Sequence, residues 1–220
     1  MRKILIFLLC LSLACPVYAR AERYVALTFD DGPSGRFTQE LLEGLAARQV
    51  RATFLLCGYR IQEYPALTQQ IFAEGHEIGL HGFSHKNMSK MTQKQVQKEL
   101  SDTLSLLPEG CKPAFLRPPG GNCSPAVTAS AKAFGLGVLH WSVDPRDWAS
   151  EDAVLIQNTV VRTVRDGDVI LLHDMSASSV QAALAIVDEL KAQGFTFVTA
   201  SELARHKGVN IIPGKIYLRF

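Results

Sequence analysis

The chain has 220 residues, of which 47% are hydrophobic, and its formal net charge is +2. This length and composition suit one globular domain with a sizeable core. The sequence contains no run of Lys and Arg. Nucleic acid and anionic membrane surfaces are therefore poor partners, and a neutral or mixed-charge substrate fits better. We expect no nucleic-acid partner.

The first 19 residues have the pattern of a secretory signal peptide. Arg2 and Lys3 give a positive start, and residues 4–13 form an apolar run that is too short to span a bilayer. Cleavage after Ala19 would remove two basic residues and no acid, which leaves a mature chain of zero net charge. We expect a secreted or cell-surface protein with no stable membrane insertion after cleavage. An uncleaved N-terminal anchor and a lipid-modified Cys15 are the alternatives.

From residue 24 onward, short apolar runs alternate with longer amphipathic stretches. The apolar runs predict strands at 24–29, 52–56, 77–81, 114–117, 137–141, 169–173 and 196–199. The amphipathic stretches predict helices near 37–48, 65–74, 92–107, 124–134, 151–165, 176–193 and 200–206. This alternation predicts an α/β fold with parallel strands wrapped by helices, closed or almost closed into a barrel. Residues 207–220 are assigned to no predicted strand or helix.

Three of the five cysteines follow residue 19, and an odd number does not make a disulfide scaffold. Cys57 ends an apolar run and is expected to be a buried small hydrophobic residue. Cys111 and Cys123 flank a predicted strand, which would separate its ends by roughly 16 Å. A disulfide needs Cα atoms less than about 7 Å apart. Unless the chain folds back, these two cysteines are not partners.

Polar and ionisable residues stand at the carboxyl ends of five predicted strands. They are Asp30 and Asp31, His81, Arg117, Trp141 with Asp147 shortly after it, and His173. In a parallel barrel all of these ends lie on one rim, where chemistry gathers. Packing alone does not explain such a set. It therefore outweighs the alternative that the Asp-Asp-Gly-Pro segment is merely a solvated turn.

The segment "HGFSH" places His81 and His85 four residues apart, a spacing that brings two side chains to one face of a helical turn. Such a pair is weak evidence alone, but a carboxylate from a neighbouring strand end completes a two-His, one-Asp set with an open position for water. Zinc suits this set, and other first-row divalent ions also fit. Because successive strand residues point opposite ways, one of Asp30 and Asp31 can bind the metal while the other acts as a general base.

Five segments, "TFDDGP", "HGFSH", "RPPGG", "WSVDPRDW" and "LLHD", resemble, in order, the motifs of the NodB-like polysaccharide deacetylases, carbohydrate esterase family four. The resemblance covers about residues 24–204. It implies a distorted (β/α)7 barrel, a fold that agrees with the strand count above. We therefore expect a single catalytic domain at residues 22–206 and a C-terminal appendix at residues 207–220.

The resemblance implies a role for each motif residue. Asp31, His81 and His85 would bind the metal. Asp30 would be the general base, and Arg117 would pair with it and keep it ionised, since a guanidinium suits a carboxylate. The alternative for Arg117 is an ordinary salt bridge on the surface or the rim.

His173 would be the general acid, and Asp147 would fix its tautomer and favour its protonated form. Trp141 and Leu171 would line the pocket for the acetyl group, although both could equally be core residues. Gly120 stands where the family often has an aromatic residue. Its backbone N–H can still stabilise an oxyanion, but one wall of the substrate groove would be lost.

The remaining polar residues near these motifs receive minor roles. Ser84 could support a histidine ligand by a hydrogen bond. Asp144, His76 and His140 are expected to be structural.

Together these features predict a metal-dependent hydrolase that removes N-acetyl groups from an amino-sugar polysaccharide such as peptidoglycan or a chitin-like polymer. The expected cofactor is one divalent ion, zinc before cobalt or manganese, and the expected state is a monomer. An O-acetyl esterase on xylan or another polysaccharide is the alternative enzyme. A sugar-binding module with a dead site would lack an acid, a base or a ligand, and none is missing here.

Overall fold

A computed structural model describes residues 22–220, and the predicted signal peptide lies outside them. The strands are β1 Arg23–Asp30, β2 Thr53–Leu56, β3 Glu77–Leu80, β4 Phe115–Leu116, β5 Gly137–Leu139, β6 Val169–His173, β7 Phe195–Val198 and β8 Ile216–Tyr217. The α-helices are α1 Arg36–Ala47, α2 Gly58–Glu63, α3 Pro65–Ala73, α4 Gln93–Leu104, α5 Pro125–Ala133, α6 Ala153–Thr163, α7 Ala177–Ala192 and α8 Ala200–His206. All seven predicted strands are present, whereas α2 and β8 were not predicted.

The strands form one parallel sheet that curves into an incomplete barrel with helices outside it. The order is β6-β1-β2-β3-β4-β5-β8, and β7 pairs with the first half of β1. The two edges of the sheet, at β6 and β8, are joined by an antiparallel bridge between Asp168 and Arg219. The predicted single-domain α/β barrel is thus confirmed.

Alternation along the strands separates an outer face from an inner one. On β1, Val25, Leu27 and Phe29 belong to the apolar core between the sheet and the helices. Thr28 and Asp30 therefore point to the inside of the barrel, because successive strand side chains face opposite ways. This parity decides which strand-end residues reach the inner rim.

Three apolar clusters hold the fold together. The largest packs α1 and α7 against β1 and β6, and a second packs α4 and α5 against β3 to β5. The third lies inside the barrel and includes Phe115, Leu139 and Tyr217. Burying one such large apolar side chain contributes about 1.5–3 kcal/mol. The strand ends that form the inner rim are therefore supported by tightly packed apolar side chains.

The C-terminal segment, left without a place by the sequence pattern, belongs to the sheet. Strand β8 pairs in parallel with β5, so that Val138 lies opposite Ile216. The Tyr217 ring stacks on Phe220, with ring centroids 5.2 Å apart, and its hydroxyl accepts a hydrogen bond from the Ile212 N–H at 2.8 Å. The segment fills the gap between β5 and β6.

Cys57, Cys111 and Cys123 are free thiols, so Cys111 and Cys123 are not partners, and Cys57 is buried as expected. Within residues 22–220, none of the helices combines the length and the apolar character that crossing a membrane would require.

Replacing Tyr217 by Ala tests whether the C-terminal segment is part of the fold. Because Tyr217 is 5% exposed and packs in the barrel interior, we expect the free energy of unfolding to fall by about 3 kcal/mol or more. Denaturant unfolding measures this change. The control is Leu218→Ala, whose side chain is 54% exposed and should matter little. Equal, small effects of both changes would contradict the assignment.

Candidate active site

The inner rim brings together side chains from four strands, β6, β1, β3 and β4. Asp30 ends β1 and lies in register with His173, which ends β6. His81 follows β3 directly, and Arg117 follows β4 directly. By the parity of their strands, all four side chains point inward. The expected gathering of polar strand ends is therefore observed, and it comes from regular strand geometry.

Arg117 is fully buried and connects three strands. Its Nη1 donates to Asp30 Oδ1 at 2.6 Å and to Thr28 Oγ1 at 2.9 Å. Its Nε donates to the Leu139 carbonyl at 3.0 Å, and its Nη2 donates to the His140 carbonyl at 2.8 Å. A buried guanidinium needs this many partners because an unpaired buried charge is very costly. Arg117 and Asp30 therefore form a buried ion pair, and the alternative of a surface salt bridge is wrong.

His81 is fixed by a hydrogen bond on one side of its ring. Its Nδ1 lies 2.7 Å from the Arg117 carbonyl, which can only accept, so Nδ1 carries a proton. Nε2 faces two carboxylates, with Asp31 Oδ1 at 3.2 Å and Asp30 Oδ2 at 3.7 Å. Nε2 is therefore the ring nitrogen that would bind a cation held between these groups. A second hydrogen bond that fixes the ring is also typical of histidine metal ligands.

Asp31, His81 and His85 form the expected candidate metal centre. One ligand atom from each residue lies within 4.8 Å of the other two, and His85 Nε2 is 2.9 Å from Asp31 Oδ1. The helical turn expected for the two histidines is wrong, because β3 ends at Leu80 and both ligands lie in the following loop. Gly82 has φ 79° and His85 has φ 56°, so the chain turns back and the two rings meet.

The ionisation of Asp31 fits a ligand role. Burial raises the pKa of this carboxyl, but hydrogen bonds from His81 and His85 outweigh burial and hold its pKa well below the usual range. The same contact raises the pKa of His85. Asp31 also has φ 73°, a left-handed conformation that turns its side chain away from the direction set by β1. The side chains of the adjacent Asp30 and Asp31 therefore point in different directions.

His173 and Asp147 form a second pair on the rim. His173 Nδ1 lies 2.8 Å from Asp147 Oδ1, and the His173 backbone N–H donates to Asp147 Oδ2 at 2.8 Å. Burial lowers the pKa of His173, but the hydrogen bond and the charge of Asp147 outweigh burial and raise this pKa to about 9. His173 is therefore a protonated imidazolium at neutral pH, with Nε2 left free.

Two cavities open beside these groups. A cavity of about 390 Å³ holds the candidate metal ligands together with Gly120, Trp141 and Leu171, the three residues expected to contact substrate. A neighbouring cavity of about 540 Å³ is bounded by Asp147, His173 and the start of α7. Trp148 borders both cavities and is 61% exposed. The two cavities form a groove across the rim.

Several residues of the site had no role in the sequence reasoning. Thr28 Oγ1 accepts from Arg117 and donates to the Ile170 carbonyl at 2.7 Å. Asp174 is fully buried behind the Asp-Asp-Gly-Pro turn, accepts a hydrogen bond from Thr38 Oγ1, and has its pKa raised by burial to about 6. Trp148 and Asp174 stand within quoted motifs, which was an available signal.

The structure also shows the contacts of the four polar residues that were expected to have minor or structural roles. The Ser84 hydroxyl donates to Glu99 Oε1 at 2.8 Å, so the expectation that it would support a histidine is wrong. His76 Nδ1 accepts from the Ala52 N–H at 3.1 Å, where a structural residue is expected. The Asp144 carboxylate accepts from the Arg146 N–H at 2.8 Å in a local turn. The His140 ring stacks against Trp141, with centroids 5.6 Å apart.

A family model described as polysaccharide deacetylase matches residues 18–139. The chain belongs to the polysaccharide deacetylase family. It is similar to a peptidoglycan-N-acetylglucosamine deacetylase of Bacillus cereus, with 41% identity over 84% of this chain and 90% of that protein. It is also similar to the peptidoglycan-N-acetylmuramic acid deacetylase PdaC of Bacillus subtilis, with 34% identity over 84% of this chain and 40% of that longer protein.

Solved structures agree with this family. A family 4 acetyl xylan esterase from Clostridium thermocellum, in complex with a cobalt ion, has a TM-score of 0.84 and 34% identity, over 90% of this chain and 98% of that chain. The resemblance inferred from the five sequence segments is confirmed, as is the fold that it implied.

Arg117→Met tests the buried ion pair. The change leaves the Asp30 carboxylate buried without its cation, so we expect a loss of about 3–5 kcal/mol in the free energy of unfolding. The control is Arg48→Met, which removes a pair with the exposed Asp188 and should cost less than about 1 kcal/mol. Denaturant unfolding compares the two variants. A similar cost for both would show that the interior pair is not special.

Proposed function

We propose that this protein is a metal-dependent hydrolase that removes N-acetyl groups from an amino-sugar polysaccharide. The proposal depends on one observation: two adjacent acids on the same rim have different partners. Asp31 lies with His81 and His85 in a ligand set, while Asp30 is held by Arg117 beside that set. Hydrolysis by a metal-activated water requires a set of metal ligands and a separate carboxylate that can act as the general base.

Asp31, His81 and His85 would hold one divalent ion, with zinc as first choice because two imidazoles and a carboxylate suit it. Cobalt and manganese also suit the donors, and the similar esterase from Clostridium thermocellum was solved with cobalt. When bound, the ion would polarise the acetyl carbonyl and lower the pKa of water.

Asp30 is the proposed general base. Arg117 occupies its Oδ1, so Oδ2 remains to take a proton from the attacking water. The guanidinium fixes the direction of the carboxylate. The tetrahedral oxyanion would then lie against the backbone N–H of Gly120, which borders the same cavity.

His173 is the proposed general acid. Its raised pKa keeps it protonated at neutral pH, and Asp147 holds Nδ1 so that Nε2 can give its proton to the leaving nitrogen. The carbon–nitrogen bond of the acetamide breaks in this step, and acetate and a free amine are released. Trp141 and Leu171 would contact the acetyl methyl group.

The groove and the relatives favour a polymer of acetylated amino sugars as substrate. Two adjoining cavities of about 390 and 540 Å³ give more room than one acetyl group needs. The B. cereus and B. subtilis relatives are named for peptidoglycan, so we place peptidoglycan before chitin-like polymers. This substrate agrees with export by the signal expected at residues 1–19, and with a monomer that acts outside the cell.

The O-acetyl esterase remains the second candidate, because the chain is similar to an acetyl xylan esterase. Release of acetate from peptidoglycan, chitin oligomers and acetylated xylan separates the two. Release from the first two substrates supports the proposal, and release from xylan alone supports the esterase. A protein that binds metal and releases no acetate from any of them would instead be a sugar-binding module.

Asp30→Asn separates the base from the metal ligands. We expect turnover to fall by about two to four orders of magnitude because the proton acceptor is lost, while metal content stays at the wild-type level. His81→Ala should lose both metal and turnover. Acetate release and elemental analysis of the purified proteins give the two readouts. Near-normal turnover of Asp30→Asn would show that another group is the base.

Asp147→Asn tests the acid through the pH profile of kcat/KM. His173 must be protonated to act, so activity declines as pH rises through its pKa of about 9. Without the Asp147 charge, burial dominates and lowers that pKa, so the alkaline limb should move to lower pH by more than about one unit. Asp144→Asn removes an acid that shares a cavity with His173 without contacting it, and should leave the limb in place. An unmoved limb in Asp147→Asn would exclude His173 as the acid.

A further inference from the structure

The loop that joins His81 to His85 is held by a side chain outside every quoted motif. Glu99, on α4, accepts hydrogen bonds through Oε2 from the backbone N–H groups of Phe83 at 2.8 Å and Ser84 at 2.7 Å. Its Oε1 accepts from the Ser84 hydroxyl at 2.8 Å. One carboxylate thus binds three donors that lie between the two histidine ligands.

The opposite side of the same loop is also bound. The Gly82 carbonyl accepts from the Gly58 N–H at 2.9 Å, and the Phe83 carbonyl accepts from the Tyr59 N–H at 3.0 Å. The loop is therefore held between the start of α2 and the side chain of Glu99.

The backbone geometry explains why the loop needs such support. His85 adopts φ 56°, a left-handed conformation that non-glycine residues enter at a cost, and Gly82 adopts φ 79°. A Cβ on Gly82 would lie 3.3 Å from Glu99 Oε2 and 2.4 Å from the Met88 methyl carbon, so the chain packs closely here. Strained backbone of this kind persists only where the surroundings determine it.

Helix α4 is a rigid support for the carboxylate. A capping box between Thr92 and Gln95 starts the helix, and Val96 and Leu100 are buried against the sheet. Glu99 lies three residues after Val96 and directly before Leu100, at the border of this buried face. Its position relative to β3, which carries His81, is therefore determined by core packing.

We propose that Glu99 is a positioning residue for the metal centre. It fixes the loop conformation in which the His85 imidazole faces Asp31 and His81, and thereby sets metal affinity. The proposal rests on the metal site assigned under the proposed function. It predicts an effect on ligand geometry that exceeds any effect on the fold.

The experiment measures zinc affinity of the full chain by competition with a chromogenic chelator, together with the visible absorption spectrum of the cobalt-loaded protein. For Glu99→Ala we expect about 10–100-fold weaker zinc binding and an altered cobalt spectrum, as for other residues that orient metal ligands. Glu99→Gln keeps one acceptor oxygen and should fall between wild type and Glu99→Ala. Asp102→Ala is the matched control, since Asp102 lies on the same helix and pairs only with the exposed Lys98.

The outcomes separate this inference from the proposed function. If wild type binds no divalent ion, the metal site itself is wrong. If wild type binds zinc and Glu99→Ala binds it equally well with the same cobalt spectrum, only the role of Glu99 is wrong, even where the metal-free variant melts at a lower temperature. Should Glu99→Ala not fold, the same comparison is made with Glu99→Gln, and unchanged affinity there rejects the role.

Discussion

The buried ion pair between Arg117 and Asp30 is the interaction on which the rest of the site depends. A fully buried guanidinium is tolerated only where its donors are satisfied, and here they bind one carboxylate and one hydroxyl on β1 and two carbonyls at the end of β5. The Arg117 carbonyl also accepts a hydrogen bond from His81 Nδ1. Arg117 thus holds both the Asp30 carboxylate and the ring of a candidate metal ligand.

This arrangement also explains how two neighbouring acids can differ in role. Asp30 has one oxygen occupied by Arg117 and lies 3% exposed on the inner face of β1. Among residues 22–220, Asp31 has no arginine partner, and its left-handed backbone turns it toward two imidazoles. Like charges so close together require positive charge nearby. Arg117, the protonated His173 and a bound cation would supply it.

Strand ends and loops contribute to the site in different ways. Asp30, His81, Arg117 and His173 come from or directly after regular strands, so sheet pairing brings them to one rim. Asp31 and His85 have positive φ, and an acid contacts each of their loops: the buried Asp174 lies against Gly32 in the first, and Glu99 binds backbone N–H groups of the second. A precise metal centre built on loops needs this second layer of support.

Much of this could be predicted from the residues alone because the signals were local. Alternation of apolar runs and amphipathic stretches predicted all seven barrel strands, and strand parity depends only on a period of two. The strand-end residues were likewise visible in the printed sequence. Other features depend on contacts between segments far apart in the chain. Arg117 meets Asp30 across 87 positions, and Glu99 reaches Ser84 from the next helix. The turn of the His81–His85 loop and the addition of β8 to the sheet depend on the same kind of contact. No local pattern of apolar and polar residues encodes which distant groups will satisfy a buried charge or an open strand edge, and packing of the whole chain settles that choice.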